Sequence, residues 1–396
     1  MMFSCDKAEE PFPTEPVPIN LTAEQIKLID SENSFAFDIF NHVLNSSEET
    51  ENILISPLSI SIALSMTLNG AEGDTRNAII EALRLQGITP DEINTSYKSL
   101  AKDLLSVDKR VLISIANSVW TEDEFPVRQE FIDILKNYYD AESRSFDIDD
   151  PSTPDIINSW IEEKTNRLIK NMISELDDNT VMLLINAIYF KGKWKNQFDA
   201  SKTTDGLFKR ADNTSVDVPM MKQTENFKAY RGNGFVIAEL PYGQGNYVMN
   251  VLIPDNGKNL NALIPELNDA NFSSWVSNMS SMKTDITFPR FKYEYKKELT
   301  DILSDMGMGI AFTENADFSQ ICGLYDLLIS FIKHQAFIET NEEGTEAAAA
   351  TVVGFELTSA PDFLVLNLDR PFIYIIRETT TNSIVFMGRL SDPSVN

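Results

Sequence analysis

The sequence has few of the residues on which catalytic sites are built. Its 396 residues include only two histidines, His42 and His334, and two cysteines, Cys5 and Cys322. Histidine is the most common general base, and neither histidine lies beside a P-loop, CxxC, HExxH or nucleophile-elbow motif. We therefore interpret both histidines as structural. The sequence predicts a protein that is not an enzyme and that needs no metal or cofactor.

Two cysteines far apart in the chain give no disulfide framework. Cys322 is expected to be a partly buried, small apolar residue. Cys5 follows Met2-Phe3-Ser4, which is similar to the end of a bacterial lipoprotein signal and makes Cys5 a candidate lipidation site, but the charged and longer apolar regions of such a signal are absent. A coincidental cysteine and a start site chosen too late stay open as alternatives. We expect an extracytoplasmic protein, secreted, periplasmic or lipid-anchored at the cell surface, with a cytoplasmic location as the alternative.

Basic residues are also scarce. Lys and Arg number 33 against 60 Asp and Glu, which gives a net charge of −27. Such a field repels phosphate backbones and sulfated polysaccharides, so neither nucleic acid nor heparin is an expected partner. The longest apolar runs, such as Val181–Ile188 and Phe372–Ile376, are far shorter than the roughly 20 residues that cross a bilayer.

The pattern of the chain predicts a tether followed by one domain. Residues 1–21 are rich in proline and acidic residues, which favours an extended tether, and ordered structure is expected from Thr22 onward. Residues 22–396 show no repeat and no regular alternation of strands and helices, so they indicate a single α+β domain. Helical patterns cover Asn33–Leu44, Pro57–Asn69, Asp91–Leu105, Asp155–Ile173 and Lys296–Met306. Strand patterns cover Val111–Trp120, Val181–Phe190, Phe235–Leu240, Tyr247–Ile253, Asp285–Phe291, Phe363–Leu368, Phe372–Arg377 and Ser383–Leu390.

One segment near the C-terminus has an unusual composition. Glu346–Ala350 is rich in alanine, which on its own suits a short helix. With period two, however, the segment presents a row of side chains on one face of a strand that are small enough to enter a packed core: Thr345, Ala347, Ala349 and Thr351. Glu346 falls on the opposite, exposed face, and Gly344 is suited to a pivot because its φ angle is free.

The same segment resembles the proximal hinge of inhibitory serpins. The matching residues are Glu342, Glu343, Gly344, Thr345, Glu346, Ala347, Ala348, Ala349, Ala350 and Thr351. Further motifs follow in the family's order from about Asn33 to Pro393: Asn52-Ile53-Leu54-Ile55-Ser56-Pro57, Asn186-Ala187-Ile188-Tyr189-Phe190-Lys191-Gly192-Lys193-Trp194, Val218-Pro219-Met220-Met221, Leu240-Pro241-Tyr242, Phe288-Pro289-Arg290-Phe291, Asp369-Arg370-Pro371-Phe372 and Phe386-Met387-Gly388-Arg389.

The resemblance implies three β-sheets, about nine helices and an exposed reactive-centre loop at about residues 342–368. It implies a monomeric suicide inhibitor, whose cleaved loop enters the largest sheet as a new strand while a serine protease, or a cysteine protease, is bound covalently to it. By analogy, Ser56, Ser59, Asn186 and His334 form a polar shutter beneath the opening sheet, with ordinary core polar groups as the alternative interpretation. Trp194 is expected in the breach, where insertion begins. A non-inhibitory carrier or chaperone remains the alternative function.

The family's usual spacing, counted from Glu342, implies a scissile bond between Thr358 and Ser359. Because the loop is about two residues longer than in many relatives, Leu357 and Phe355 are alternative residues before the bond. No Lys or Arg occurs between Gly344 and Asp369, so trypsin-like proteases find no suitable residue there. Elastase-like and subtilisin-like targets are favoured, and Leu357 or Phe355 would suit chymotrypsin-like ones.

Overall fold

The computed structural model describes residues 15–345 and 363–395 and has the predicted α+β class. In these ranges the chain forms eight α-helices, and a π turn at Ser304–Met308 continues the last of them. This agrees with the prediction of about nine helices. The helices are α1 (Ala23–Asn45), α2 (Pro57–Leu68), α3 (Gly73–Ala82), α4 (Pro90–Ser106), α5 (Gln129–Tyr139), α6 (Thr153–Lys164), α7 (Asp269–Ser277) and α8 (Thr300–Leu303).

The described strands form three sheets, as predicted. Nine strands make the largest, in the order β1-β15-β14-β8-β7-β6-β9-β13 with β5 beside β6; four make the second, in the order β12-β4-β2-β3; and β10 pairs with β11 in the third. Their bounds are β1 (Ile53–Ile55), β2 (Val111–Glu122), β3 (Glu142–Phe146), β4 (Met182–Lys193), β5 (Thr204–Lys209), β6 (Ser215–Arg231), β7 (Phe235–Pro241), β8 (Tyr247–Pro254), β9 (Ser280–Pro289), β10 (Phe291–Glu298), β11 (Lys333–Thr340), β12 (Gly344–Thr345), β13 (Phe363–Asn367), β14 (Phe372–Glu378) and β15 (Ile384–Leu390).

Helix α2 lies at the centre of the fold. The Ser56 side chain accepts a hydrogen bond from the Ser59 N–H at 3.2 Å, and Pro57 occupies the first helical position, where a missing N–H costs nothing. The helix is apolar nearly all round and most of its residues are buried. It packs against β4 on one side and β15 on the other, so it links two of the three sheets.

Two predicted helices differ from the structure. The helix predicted over Asp155–Ile173 ends at Lys164, because Asn166 and Arg167 adopt positive φ angles of 51° and 63° that a right-handed helix does not allow. The helix predicted over Lys296–Met306 is wrong in its first turn. Residues up to Glu298 belong to β10, where pairing with β11 outweighs the helical propensity of the lysines and glutamates.

The N-terminal tether is shorter than predicted. The Val17 N–H donates to Asn246 Oδ1 at 2.8 Å, and Asn246 Nδ2 donates to the Val17 carbonyl at 2.8 Å. The Ile19 N–H donates to Thr380 Oγ1 at 3.2 Å. Val17 is therefore bound to the turn between β7 and β8, and Ile19 to the turn between β14 and β15, before α1 begins. The proline content of the segment did not predict these contacts.

A cleft separates β4 from β11. Strand β4 pairs with β2 along its length and with β12 only at Gly192 and Lys193, while β11 pairs with β10. A cavity of about 1200 Å³ lies between residues 181–186 and 328–334, and α2 contributes Ser59, Ala63 and Thr67 to its lining. Among the described residues no strand fills this space. None of the helices in the same ranges is long and apolar enough to cross a membrane.

Candidate functional site: the hinge and the cleft

The hinge enters the second sheet, which has four strands, at the top of the cleft, whereas the resemblance implied entry into the largest sheet, which here has nine strands. Gly344 and Thr345 form β12, which pairs antiparallel with Lys193 and Gly192 of β4. Gly344 has a φ angle of 146°, and a Cβ at this position would collide with the backbone of β4. Only glycine meets both conditions without strain, and the role of Gly344 as a pivot stays a prediction.

Thr345 lies over an aromatic pair. Its side chain is 5% exposed, and Oγ1 is 3.1 Å from the Tyr242 hydroxyl. Tyr242 stacks on Trp194 with ring centroids 4.3 Å apart and an interplanar angle of 11°. Burial raises the pKa of Tyr242 and the Thr345 hydrogen bond opposes that rise, so the phenol stays protonated. The first inward residue of the hinge is thus already in a core position.

Trp194 holds the turn that precedes the hinge. Its indole N–H donates to the Asn341 carbonyl at 2.9 Å, and its backbone N–H donates to the Glu343 carbonyl at 2.8 Å. Because these bonds fix both sides of Glu342, the chain reverses direction directly above the cleft. Trp194 thus lies next to the start of the hinge, and its role in the breach stays a prediction.

Glu342 anchors the hinge to the third sheet. Its carboxylate forms a bidentate ion pair with Arg290, with Nε to Oε2 at 2.7 Å, and accepts a hydrogen bond from Thr203 Oγ1 at 2.5 Å. Burial raises the pKa of Glu342, but the Arg290 and Thr203 hydrogen bonds outweigh burial and hold the pKa below its usual range. Sequence reasoning gave no role to Arg290 or Tyr242, although both lie within motifs that carried the family resemblance.

The four predicted shutter residues meet in one polar network under the cleft. Ser56 Oγ donates to the Val385 carbonyl at 2.7 Å, and the Ser56 N–H donates to His334 Nε2 at 3.1 Å. Ser59 Oγ donates to Asn186 Oδ1, and Asn186 Nδ2 donates to Asn117 Oδ1 at 2.5 Å. The network joins α2, β4, β11 and β15 at the lower part of the cleft.

Asn117 extends this network and was missed by sequence reasoning. It pairs with Asn186 across β2 and β4, and its Nδ2 donates to the Tyr139 carbonyl at the end of α5 at 2.6 Å. The available signal was a polar residue within the otherwise apolar strand pattern of Val111–Trp120. A buried polar residue in a strand needs a specific partner, which only the sheet register identifies.

Comparison with known proteins gives the family. The family profile described as "Serpin (serine protease inhibitor)" matches residues 30–393. The chain belongs to the serpin family. Among curated relatives, the human protein Serpin B3 is 34% identical over 391 residues, 92% of this chain and 99% of its own. A "Serine protease inhibitor" of Cyanea capillata is 33% identical over 370 residues, 91% of this chain and 97% of its own.

Solved serpin structures have the same fold. The thermophilic serpin tengpin in its native state aligns with a TM-score of 0.85 at 29% identity, covering 96% of this chain and 97% of its own. Human thyroxine-binding globulin aligns with a TM-score of 0.86 at 30% identity, covering 94% of this chain and 100% of its own. Serpins are mostly protease inhibitors, and some members, such as this globulin, are not.

Several predicted residues of this serpin lie outside the described ranges. They are Cys5, the hinge residues Glu346, Ala347, Ala348, Ala349, Ala350 and Thr351, and the candidate bond residues Phe355, Leu357, Thr358 and Ser359. Cys322 is 1% exposed, which fits a small core residue.

The one serine and histidine pair in the shutter network is not arranged for catalysis. Ser56 is completely buried, and its hydroxyl donates to the Val385 carbonyl rather than to His334. A nucleophile activated by histidine needs its hydroxyl proton directed at the imidazole. Burial also lowers the pKa of His334 to about 4, so the ring is neutral at pH 7. Residues 15–345 and 363–395 contain no cluster of three or more His, Cys, Asp or Glu side chains that could hold a metal ion.

Proposed function

We propose that this serpin is a suicide inhibitor of serine proteases and that it traps the acyl-enzyme by inserting its cleaved loop beside β4. The observation that carries the proposal is β12. Two hinge residues already pair with the top of β4, and farther along the same strand, beside residues 181–186, a cavity of about 1200 Å³ has room for later residues of an inserted strand.

Insertion would extend β12 downward. Each further residue pairs with β4 and alternates between the cleft side and the solvent side. The sequence places Ala347, Ala349 and Thr351 on the same side as Thr345, and their small side chains can enter between existing core residues. The shutter network, which lies in the path of the strand, would have to separate along the Ser59–Asn186 and His334 contacts.

The chemical step belongs to the protease. Its serine Oγ forms an ester with the carbonyl carbon of Thr358, the Thr358–Ser359 peptide bond breaks, and the amine of Ser359 leaves with a proton delivered by the protease's general acid. Water would normally hydrolyse the ester. Insertion of the hinge carries the ester to the far end of β4 and distorts the protease before hydrolysis occurs.

Elastase-like or subtilisin-like proteases are the proposed targets, with chymotrypsin-like and papain-like enzymes next. Trypsin-like enzymes are not, because the chain has no Lys or Arg between Gly344 and Asp369. The proposed protein acts as a monomer, without metal, cofactor, heparin or nucleic acid, and outside the cytoplasm.

Incubation with elastase, subtilisin, chymotrypsin, papain and trypsin tests the proposal. We expect an adduct that survives denaturing electrophoresis, together with release of a C-terminal peptide that begins at Ser359 by mass spectrometry. Trypsin, which has no site in the loop, is the matched control and should give no adduct. Cleavage by every other protease without an adduct would contradict inhibition.

The second candidate is a non-inhibitory carrier, which the likeness to human thyroxine-binding globulin supports. A protease would cleave the loop of a carrier and then dissociate from it in active form, without a covalent adduct. The two functions therefore separate on the same gel.

A further inference from the structure

Strand β13 forms an open edge of the largest sheet, directly after the loop. It pairs in parallel with β9 on one side, and among the described residues no strand pairs with its other side. Its residues alternate strictly. Leu364 and Leu366 are 1% and 2% exposed and anchor the strand, whereas Phe363 and Val365 are 52% and 54% exposed.

The exposed face of β13 is apolar beside a polar neighbour. In the register with β9, Phe363 lies next to Lys283 and Val365 next to Asp285, whose carboxylate accepts a hydrogen bond from Thr224 Oγ1 at 3.1 Å. The Leu368 N–H donates to the Thr287 carbonyl at 2.9 Å. Since backbone direction alternates along a strand, the N–H and C=O of Val365 face the open edge. Edge strands usually carry charges at such positions, and this one carries a phenylalanine and a valine.

The length of the intervening chain determines what can cover this face. Three residues lie between Ser359 and Phe363, and an extended chain spans at most about 14 Å over these four residue steps. A protease domain of about 220 residues has a radius of gyration near 17 Å. A protease bound at the Thr358–Ser359 bond therefore must overhang β13.

We propose that Phe363 and Val365 form an exosite for the target protease, contacting an apolar surface beside the cleft that receives the residues after the scissile bond. The inference rests on the proposed function and adds a determinant of target choice outside the loop. An aromatic side chain held by a rigid strand is the kind of residue that contributes most to an interface, since little side-chain entropy is lost on binding. The exosite would speed formation of the encounter complex and leave the later insertion step unchanged.

The test compares the parent protein with Phe363→Ser and Val365→Lys. The matched control is Leu324→Ser, which removes a leucine that is 75% exposed and precedes β11. With the protease that reacts fastest with the parent, the association rate constant should fall fivefold or more in both β13 variants. The number of inhibitor molecules consumed per protease should stay the same. Circular dichroism and thermal melting check that each variant is folded.

Three results would overturn the exosite. The first is a rate constant within twofold of the parent in both folded variants, which leaves suicide inhibition intact. The second is an equal loss of cleavage rate when Phe363→Ser is placed in a synthetic peptide of residues 350–367, because the contact would then not need the folded strand. The third is concentration-dependent dimerisation of the parent in sedimentation that Val365→Lys abolishes, which would assign the face to a second copy.

Failure of the proposed function gives a different pattern. If proteases cleave the loop without forming an adduct, suicide inhibition is lost and the exosite is judged from kcat/KM for cleavage, which should still fall fivefold in the β13 variants. If no protease cleaves the loop of the parent, both proposals are overturned.

Discussion

Gly344 and Thr345 decide, at the scale of single residues, where the hinge enters the sheet. Gly344 turns the chain with a φ angle open to glycine, and Thr345 then contacts Tyr242 in a nearly closed site. Every later residue of an inserted strand would take its register from this pair. Any change of size or charge at Thr345 therefore acts on the first step of insertion.

We predict that Thr345→Arg converts the inhibitor into a substrate. The guanidinium would have to enter the site at Tyr242 and Trp194 without an acidic partner, at a cost of several kcal/mol. Slower insertion gives the ester time to hydrolyse. On gels with the reactive protease, the adduct should give way to cleaved serpin, and several inhibitor molecules should be consumed per protease.

Thr345→Ser is the matched control, because it keeps the hydroxyl that meets Tyr242. It should inhibit like the parent. If the arginine variant consumed no more inhibitor molecules per protease than the parent, residue 345 would not have to occupy a closed site during insertion.

His334 should make the protein less stable in acid. Its pKa is about 4 in the folded state and 6.5 in the unfolded state, so the unfolded chain binds more protons between these values. Stability falls as the pH drops from about 6.5 to about 4, and the loss reaches about 2 kcal/mol by pH 5. The free energy of unfolding is measured in urea at pH 7.5 and at pH 5. Between these two pH values, the His334→Gln variant should lose about 2 kcal/mol less of this free energy than the parent.

Glu32 should have the opposite effect to His334 on how the stability of the protein depends on pH. Burial raises the pKa of Glu32 to about 7, although the hydrogen bonds from Ser61 and Tyr97 oppose the rise. The folded state therefore binds the extra proton and gains stability as the pH falls from about 7 to about 4.5. Glu32→Gln should therefore lose more stability than the parent between pH 7.5 and pH 5. Equal pH dependence in both variants and the parent would contradict the assignment of these two groups.

At the scale of elements, the N-terminal segment acts as part of the domain. Val17 and Asn246 exchange two hydrogen bonds, and Asn246 Nδ2 also donates to Glu378 Oε1 at 2.8 Å. Asn246 is completely buried, so its amide satisfies groups from three segments of the chain. The turn that it holds also contains Tyr242, which contacts the hinge.

Asn246→Ala should destabilise the folded protein by about 1–3 kcal/mol, because it removes both hydrogen bonds to the Val17 backbone and one of the donors to the Glu378 carboxylate. The midpoint of urea unfolding measures the loss. Asn259→Ala, at an exposed turn where the side chain only caps a short 3-10 turn, is the control and should lose less than 1 kcal/mol. Equal losses in the two variants would mean that the segment is not fastened through Asn246.

The secondary-structure elements also show which strands and helices sequence patterns can predict and which they miss. The strand-like runs Phe235–Leu240 and Tyr247–Ile253 and the capping signal at Ser56 were sufficient to predict strands β7 and β8 and helix α2. Strand β11 and the end of β10 were missed, because Lys296, Lys297 and Glu298 have helical propensity and only their pairing with residues 333–335 makes them a strand. Propensity is local, whereas strand pairing depends on a partner distant in sequence.

At the scale of the whole molecule, the most important feature is the cleft between β4 and β11. Among the described residues, β4 and β11 do not pair with each other, and a cavity of about 1200 Å³ lies between parts of the two strands. A folded protein normally fills such a space or pairs such edges. A strand inserted there would add backbone hydrogen bonds and bury the row of small residues that begins at Thr345.

Cleavage of the loop should therefore stabilise the molecule. We predict that the unfolding temperature rises by on the order of 10 °C or more once the loop has been cut, because several kcal/mol of new pairing and burial are added. Differential scanning calorimetry before and after cleavage measures the change. A matched Thr345→Arg sample should gain less, and an unchanged melting temperature after cleavage would contradict insertion.

The sequence by itself determined the family and the α+β class, because the family's motifs and the strand and helix patterns can be recognised from the local order of residues. The position of the hinge and the absence of trypsin-like targets stay predictions from the sequence. Only the tertiary structure decided that Thr345 lies against Tyr242, that Glu342 pairs with Arg290, that Asn117 completes the shutter network and that Val17 is fastened to Asn246. Each of these contacts joins residues that are far apart in the chain, and their distances depend on how three sheets pack around α2, which no local pattern records.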